Sequence, residues 1–301
     1  MSRVLTTMPV AALALAALTG CAAGPGAGAA PAGSATVQAP PSPTRDVRRQ
    51  IETERAACMK RKGFRYEIHV PAPRKVGDDE RRAGSGDYEA MKRVRQKYGF
   101  KIFAKFVYPG DPAAERYFVL PHGTNDGIKQ SLSETQAVAW EEADNDCRTE
   151  VVRKVLGKTV TTMEDYYSQL NRRLEQADRE TNSDPRLIGL AQDFADCLKG
   201  KGYPVSSARP TDMREAGARA MEKEANRIGR SQAENPVDEV GGMEATYEPE
   251  LTVEQARPYL AREIKAALDD LECGRDFYPA FFAGDAAKKA YQEFGHEAIQ
   301  W

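Results

Sequence analysis

Apolar positions along this chain follow three patterns. Behind Arg3, residues Val4 to Leu18 form one short, largely apolar run. Further on, apolar residues recur at helical spacing. Val47, Ile51 and Cys58 share one face, Leu187, Leu190, Phe194 and Cys197 another, and Val160, Met163, Tyr167, Leu170, Leu174 and Ala177 a third. Each series predicts an amphipathic helix. The third is too short for a coiled coil and predicts a connecting helix over 159–183 that packs in a bundle. By contrast, Phe64, Tyr66, Ile68 and Val70 alternate with Arg65, Glu67 and His69, which predicts a strand. Lys101–Val107 and Arg116–Leu120 are further strand candidates. Ser133 with Gln136 and Thr252 with Gln255 have the spacing of capping boxes and start helices. Gly63 and Gly202 stop helices, Asn182-Ser183-Asp184-Pro185 starts one with Asp184 or Ser183 as its cap, and Pro258 predicts a kink or restart. The fold class expected is mainly α (α+β): helix-rich with a small sheet.

The segments repeat. Cys58-Met59-Lys60-Arg61-Lys62-Gly63-Phe64 returns as Cys197-Leu198-Lys199-Gly200-Lys201-Gly202-Tyr203. Ala90-Met91 followed by Tyr98-Gly99 returns as Ala220-Met221 followed by Ile228-Gly229. Leu132-Ser133-Glu134-Thr135-Gln136-Ala137 returns as Leu251-Thr252-Val253-Glu254-Gln255-Ala256, and each series closes on a cysteine, Cys147 or Cys273. The order of the blocks predicts two related helix-rich repeats, 45–158 and 184–301, joined by the helix over 159–183.

The run at the N-terminus is too short and too rich in Ala for a membrane span. It ends in Leu18-Thr19-Gly20-Cys21, which resembles the lipobox of bacterial lipoproteins. That resemblance implies a signal peptide over 1–20, cleavage before Cys21, and lipid attached to the Cys21 thiol. Residues 22–43 hold eight Ala, five Pro and four Gly with no charge, so they can bury no core, and 21–44 reads as a lipid-anchored linker. The chain carries 43 Lys+Arg against 45 Asp+Glu, so no polybasic field points to nucleic acid. Anchoring therefore falls to the lipid rather than to charge. Arg45, Arg48 and Arg49 read as a solvated helix face at the root of the linker.

Of five cysteines, four remain once Cys21 is set aside, and four allow three pairings. A duplicated unit with its own bridge selects Cys58 with Cys147 and Cys197 with Cys273. Chemistry is harder to find. The histidines, His69, His122 and His296, have no metal-ligand spacing, and no cofactor or metal site is expected. His122 with Asn125 and Asp126 forms the most enzyme-like cluster, which a turn ahead of a helix explains with less. Asp144, Asp146 and Glu150 read as a solvated helix face rather than a cation cage. Phe277, Tyr278, Phe281 and Phe282 offer a possible ligand platform, with core packing as the plainer account.

The lipobox, the Pro/Ala/Gly linker and the Cys-(Met/Leu)-x-x-x-Gly-(Phe/Tyr) element resemble the lipoproteins of unassigned activity in high-GC Gram-positive bacteria. The resemblance implies a cell membrane location, on the extracytoplasmic face. The expectation is a non-enzymatic lipoprotein that binds a protein partner or a cell-wall component. The alternatives are the solute-binding lipoprotein of an importer, which would show two α/β lobes, and an envelope hydrolase.

Overall fold

The computed structural model describes residues 43–70, 72, 75–116, 124–240 and 243–299. The signal peptide, Cys21, the linker up to residue 42, His122 and all of the Arg116–Leu120 strand candidate except Arg116 lie outside these residues. Helix α1 (Pro43–Arg61) is followed by an extended segment, then by α2 (Asp78–Ala83), α3 (Tyr88–Tyr98), α4 (Ala104–Val107), α5 (Thr124–Gln130) and the long α6 (Glu134–Val155). Helix α7 (Met163–Ser183) leads into α8 (Pro185–Gly200), α9 (Pro210–Met213) and α10 (Ala216–Gln232). A two-residue antiparallel pair, β1 (Glu239–Val240) with β2 (Met243–Glu244), precedes α11 (Val253–Cys273). Helices α12 (Phe277–Gly284), α13 (Ala286–Glu293) and α14 (His296–Ile299) complete the described chain. The fold is mainly helical.

The helix boundaries follow local chemistry. Both capping boxes form: the Ser133 hydroxyl accepts from the Gln136 N–H and the Thr252 hydroxyl from the Gln255 N–H, with each glutamine reaching back. Asp184 caps α8 by accepting from the N–H groups of Arg186 and Leu187, with Pro185 in the first turn. Helices α1 and α8 end alike. The Phe64 N–H donates to the Met59 carbonyl and the Tyr203 N–H to the Leu198 carbonyl, across Gly63 and Gly202 at φ 85° and 84°. Only glycine takes that backbone conformation without strain.

Four expectations are corrected. Phe64–Val70 is extended but pairs with no strand among the described residues. Its backbone is held by side chains instead: Asn125 accepts from the Glu67 N–H at 2.8 Å and donates to the Glu67 carbonyl at 2.9 Å, and Trp140 Nε1 donates to the Arg65 carbonyl at 3.2 Å. Lys101–Val107 turns into α4, because the buried Glu263 carboxylate accepts from the Ile102 and Phe103 N–H groups at 2.9 and 2.8 Å at its start. Helix α11 is continuous through Pro258, so of the kink or restart expected there the restart does not occur. On α7 the buried tyrosine is Tyr166, whose hydroxyl donates to the Phe294 carbonyl at 3.0 Å, while Tyr167 lies 36% exposed.

Two disulfides staple the body, Cys58–Cys147 between α1 and α6 and Cys197–Cys273 between α8 and α11. Their surroundings match. Four residues after the first cysteine, Lys62 and Lys201 donate to Asp146 (2.8 Å) and Glu272 (2.9 Å), the residues just before the second cysteine. Packing nevertheless crosses between the stapled pairs. Helices α3 and α4, from the first half of the chain, pack on α11, while α14, from its end, packs on α1 and α13 packs on α7. One apolar cluster joins Met91 of α3 to Leu187, Phe194, Leu271 and Phe277. Another joins Ile51 and Val151 to Ala298. The described residues, from Pro43 onward, form one compact unit.

Candidate functional site

The acids three residues before each second cysteine, Asp144 and Asp270, sit on the same helical face as the cysteine and are buried, 7% and 1% exposed. This corrects the solvated-face reading of Asp144. Each meets an arginine, and the two arrangements differ in an informative way.

At the first bridge, Arg55 donates from Nε and Nη2 to the two Asp144 oxygens, both at 2.6 Å, and from Nη1 to Glu52 at 3.3 Å. Tyr66 donates its hydroxyl to Glu52 at 3.0 Å and lies under the Arg55 guanidinium at 4.9 Å. All three guanidinium nitrogens are engaged, so the cluster is closed. Burial raises the Glu52 carboxyl above its ordinary range, against the pull of Arg55. Asp146 and Glu150 pair on the surface with Lys62 and Arg61.

At the second bridge the arginine comes from α3. Arg95 Nη1 donates to Asp270 Oδ1 at 2.6 Å and to the Ala267 carbonyl at 2.8 Å. Both of these bonds leave from Nη1, and the Tyr278 hydroxyl is a further partner of the guanidinium. The Tyr278 hydroxyl donates to Asp270 Oδ1 at 2.5 Å, and burial drives the Tyr278 phenol upward. Asp270 Oδ2 has no partner and lies close to Gly217, where an added Cβ would come within 2.8 Å of it. Burial also raises the Asp270 carboxyl, with Arg95 opposing. The guanidinium lies against the rings of Phe100 (5.3 Å) and Tyr278 (4.8 Å), and its side chain is 11% exposed.

That exposure opens into a groove of about 600 Å³ between α3, α10 and α12. Met91, Val94, Ala218 and Phe282 supply apolar wall. Five cations line it: Arg95, Lys101, Arg116, Arg214 and Arg219. Two carboxylates face it, Glu215 and Glu222, and both pair with Arg116. The acids that pair with Lys101, Arg219 and Arg95, namely Glu80, Asp212 and Asp270, do not line the groove.

The aromatic platform divides. Phe277 and Phe281 are core, 1% and 6% exposed, in keeping with the plainer account of the stretch. Tyr278 and Phe282 reach the groove. Of the His122 cluster, Asn125 serves the backbone of the extended segment. His296 stacks on Tyr291 at 4.9 Å, away from the groove lining. No group of three His, Cys, Asp or Glu is placed to hold a metal among the described residues. No described helix is long and apolar enough to cross a membrane. Comparison with family models, curated proteins and solved structures finds no match to this chain.

Arg95 and Asp270 were not picked out from the sequence, and a signal for the acid was available. A bridged cysteine faces a neighbouring helix, and a residue three positions earlier on the same helix shares that face, so an acid buried there needs a cation.

A neighbouring carboxylate gives a pH test. Asp269 accepts from Lys265 (2.7 Å), Tyr203 (2.6 Å) and Lys201 (3.3 Å), which hold its carboxyl down to about 2. A depressed folded-state value stabilises above the unfolded carboxylate range and is lost as pH falls through it. Asp269→Asn is therefore expected to cost on the order of 1 kcal/mol at pH 7 after solvent screening, and almost nothing near pH 2. Urea titrations of both proteins at the two pH values measure this; an equal gap at both would assign the effect to packing.

Proposed function

We infer that this chain is a non-enzymatic cell-surface lipoprotein, held at the extracytoplasmic face by lipid on Cys21, which binds a protein partner or cell-wall component. The observation that carries the binding part is the groove between α3, α10 and α12, with its apolar wall and excess of lining cations. A pocket of this size, apolar with a few convergent polar groups, is the usual form of a ligand site. The Leu18-Thr19-Gly20-Cys21 sequence and the uncharged linker support the anchoring part. The body is built from two related copies of one stapled helix pair. The matching helix ends at Gly63 and Gly202, the two capping boxes and the paired Lys62–Asp146 and Lys201–Glu272 contacts support that origin. The helical body lends no support to an importer's solute-binding protein, which would need two α/β lobes.

The test of anchoring is Cys21→Ser. The variant is expected to leave the membrane fraction or to accumulate with its signal peptide uncleaved, as read by fractionation and intact mass. Membrane association with a trimmed, lipid-modified N-terminus would overturn the lipobox reading.

A further inference from the structure

The two buried arginine–carboxylate clusters act as an internal comparison. Both place an aspartate three residues before a bridged cysteine, and in both an arginine lies against a tyrosine ring. In the first, Nε, Nη1 and Nη2 of Arg55 are all bonded to carboxylates inside the protein. In the second, Arg95 is held through Nη1 by Asp270 and Ala267, with the Tyr278 hydroxyl beside the guanidinium, and the residue lines the groove. A closed structural cluster needs no such opening. The Nε and Nη2 N–H groups of a guanidinium point in parallel and match the two oxygens of a carboxylate. Asp270, Ala267 and the flanking rings of Phe100 and Tyr278 fix the orientation of Arg95 before any ligand arrives, which lowers the ordering cost of binding.

We propose that the groove binds a carboxylate-bearing ligand with an apolar or aromatic body, its carboxylate seated on the Nε/Nη2 edge of Arg95 and its body against Phe282, Met91 and Val94. The inference rests on the reading of the groove as the binding site and names its ligand class. Charge agrees with it. Arg214 and Arg219, whose nearest acids lie at 3.4 and 3.5 Å, flank the same groove and favour an anion entering it. Phe282 stands beside Arg214, whose guanidinium lies 5.8 Å from its ring, so apolar and cationic contacts are within one ligand's reach. The carboxylate could belong to a free organic acid or to the C-terminus of a short peptide.

The test is isothermal titration of the full chain in detergent micelles with N-acetylphenylalanine, its amide, and a short Phe-ended peptide with a free or an amidated C-terminus. The free acids are expected to bind at least tenfold more tightly than their amides. Tighter binding of the free peptide than of the small acid identifies a peptide terminus as the source, and the reverse order a free acid. Arg95→Lys keeps the charge and loses the fork, and is expected to weaken the free acids at least tenfold while leaving the amides unchanged. Should Arg95→Lys fail to fold, Phe282→Ala, at the groove wall, is expected to weaken the free acids at least fivefold without changing the helical circular dichroism. Equal binding of acid and amide, absence of binding at 10 mM, or free-acid affinity unchanged in the folded variant would overturn the proposal. These outcomes are independent of Cys21→Ser, so a failure of the ligand class and a failure of the anchoring are distinguishable.

Discussion

Arg55→Met is expected to destabilise the body by about 3–5 kcal/mol, because it leaves two buried carboxylates without their cation. Asp144 and Glu52 are 7% and 2% exposed, and Arg55 is the guanidinium that meets both, at 2.6 and 3.3 Å. The loss measures the penalty of unpaired buried charge rather than the worth of the ion pair. Combining Arg55→Met with Asp144→Leu and Glu52→Gln should therefore recover much of it, since the triple variant buries no charge at these positions. Urea denaturation of the two variants reads the difference. A single substitution costing less than about 1 kcal/mol would mean that water reaches the carboxylates and that the cluster stabilises no more than a surface pair.

The second large effect concerns the disulfides. Their loops span 89 and 76 residues, and the chain-entropy model assigns each about 4.5 kcal/mol through restriction of the unfolded chain, before any strain is subtracted. Losing both would remove about 9 kcal/mol, comparable with the whole stability of an ordinary domain. The Cys58→Ser/Cys147→Ser protein and the Cys197→Ser/Cys273→Ser protein are each expected to melt well below the parent. The two bridges should also differ in access. Cys58 and Cys147 are buried, 1% and 0% exposed, whereas Cys197 and Cys273 are half-buried. A graded thiol reductant followed by alkylation and mass spectrometry should label Cys197 and Cys273 first. Labelling of Cys58 and Cys147 at the lower reductant concentration would show that local opening of α1, not static exposure, governs attack.

What was legible in the chain was local or duplicated. Ser133 with Gln136, Thr252 with Gln255 and Asp184 with Pro185 carry their partners within a few residues, and the helices begin where those residues stand. The cysteine pairing was legible because the order of blocks is repeated. Residues whose conformation is set from afar were misread. Lys101–Val107 has a pattern compatible with a strand, and a carboxylate 160 residues away at Glu263 turns its start into a helix. Phe64–Val70 alternates as a strand would, but its hydrogen bonds go to Asn125 and Trp140, and a side chain leaves no trace of a partner strand in the sequence. The groove was hidden for the same reason. Arg95 and Asp270 are 175 residues apart and come from different halves of the chain, so no local spacing reveals the pair.

The bridge between α1 and α6 has a mechanical consequence. A pull applied at the start of α1 acts on a helix that packs against α6. Fraying from that end meets a covalent stop at Cys58, after which the load passes through sulfur into the middle of α6. The first described helix is thereby fastened to the longest one among the described residues by a bond that thermal motion does not break.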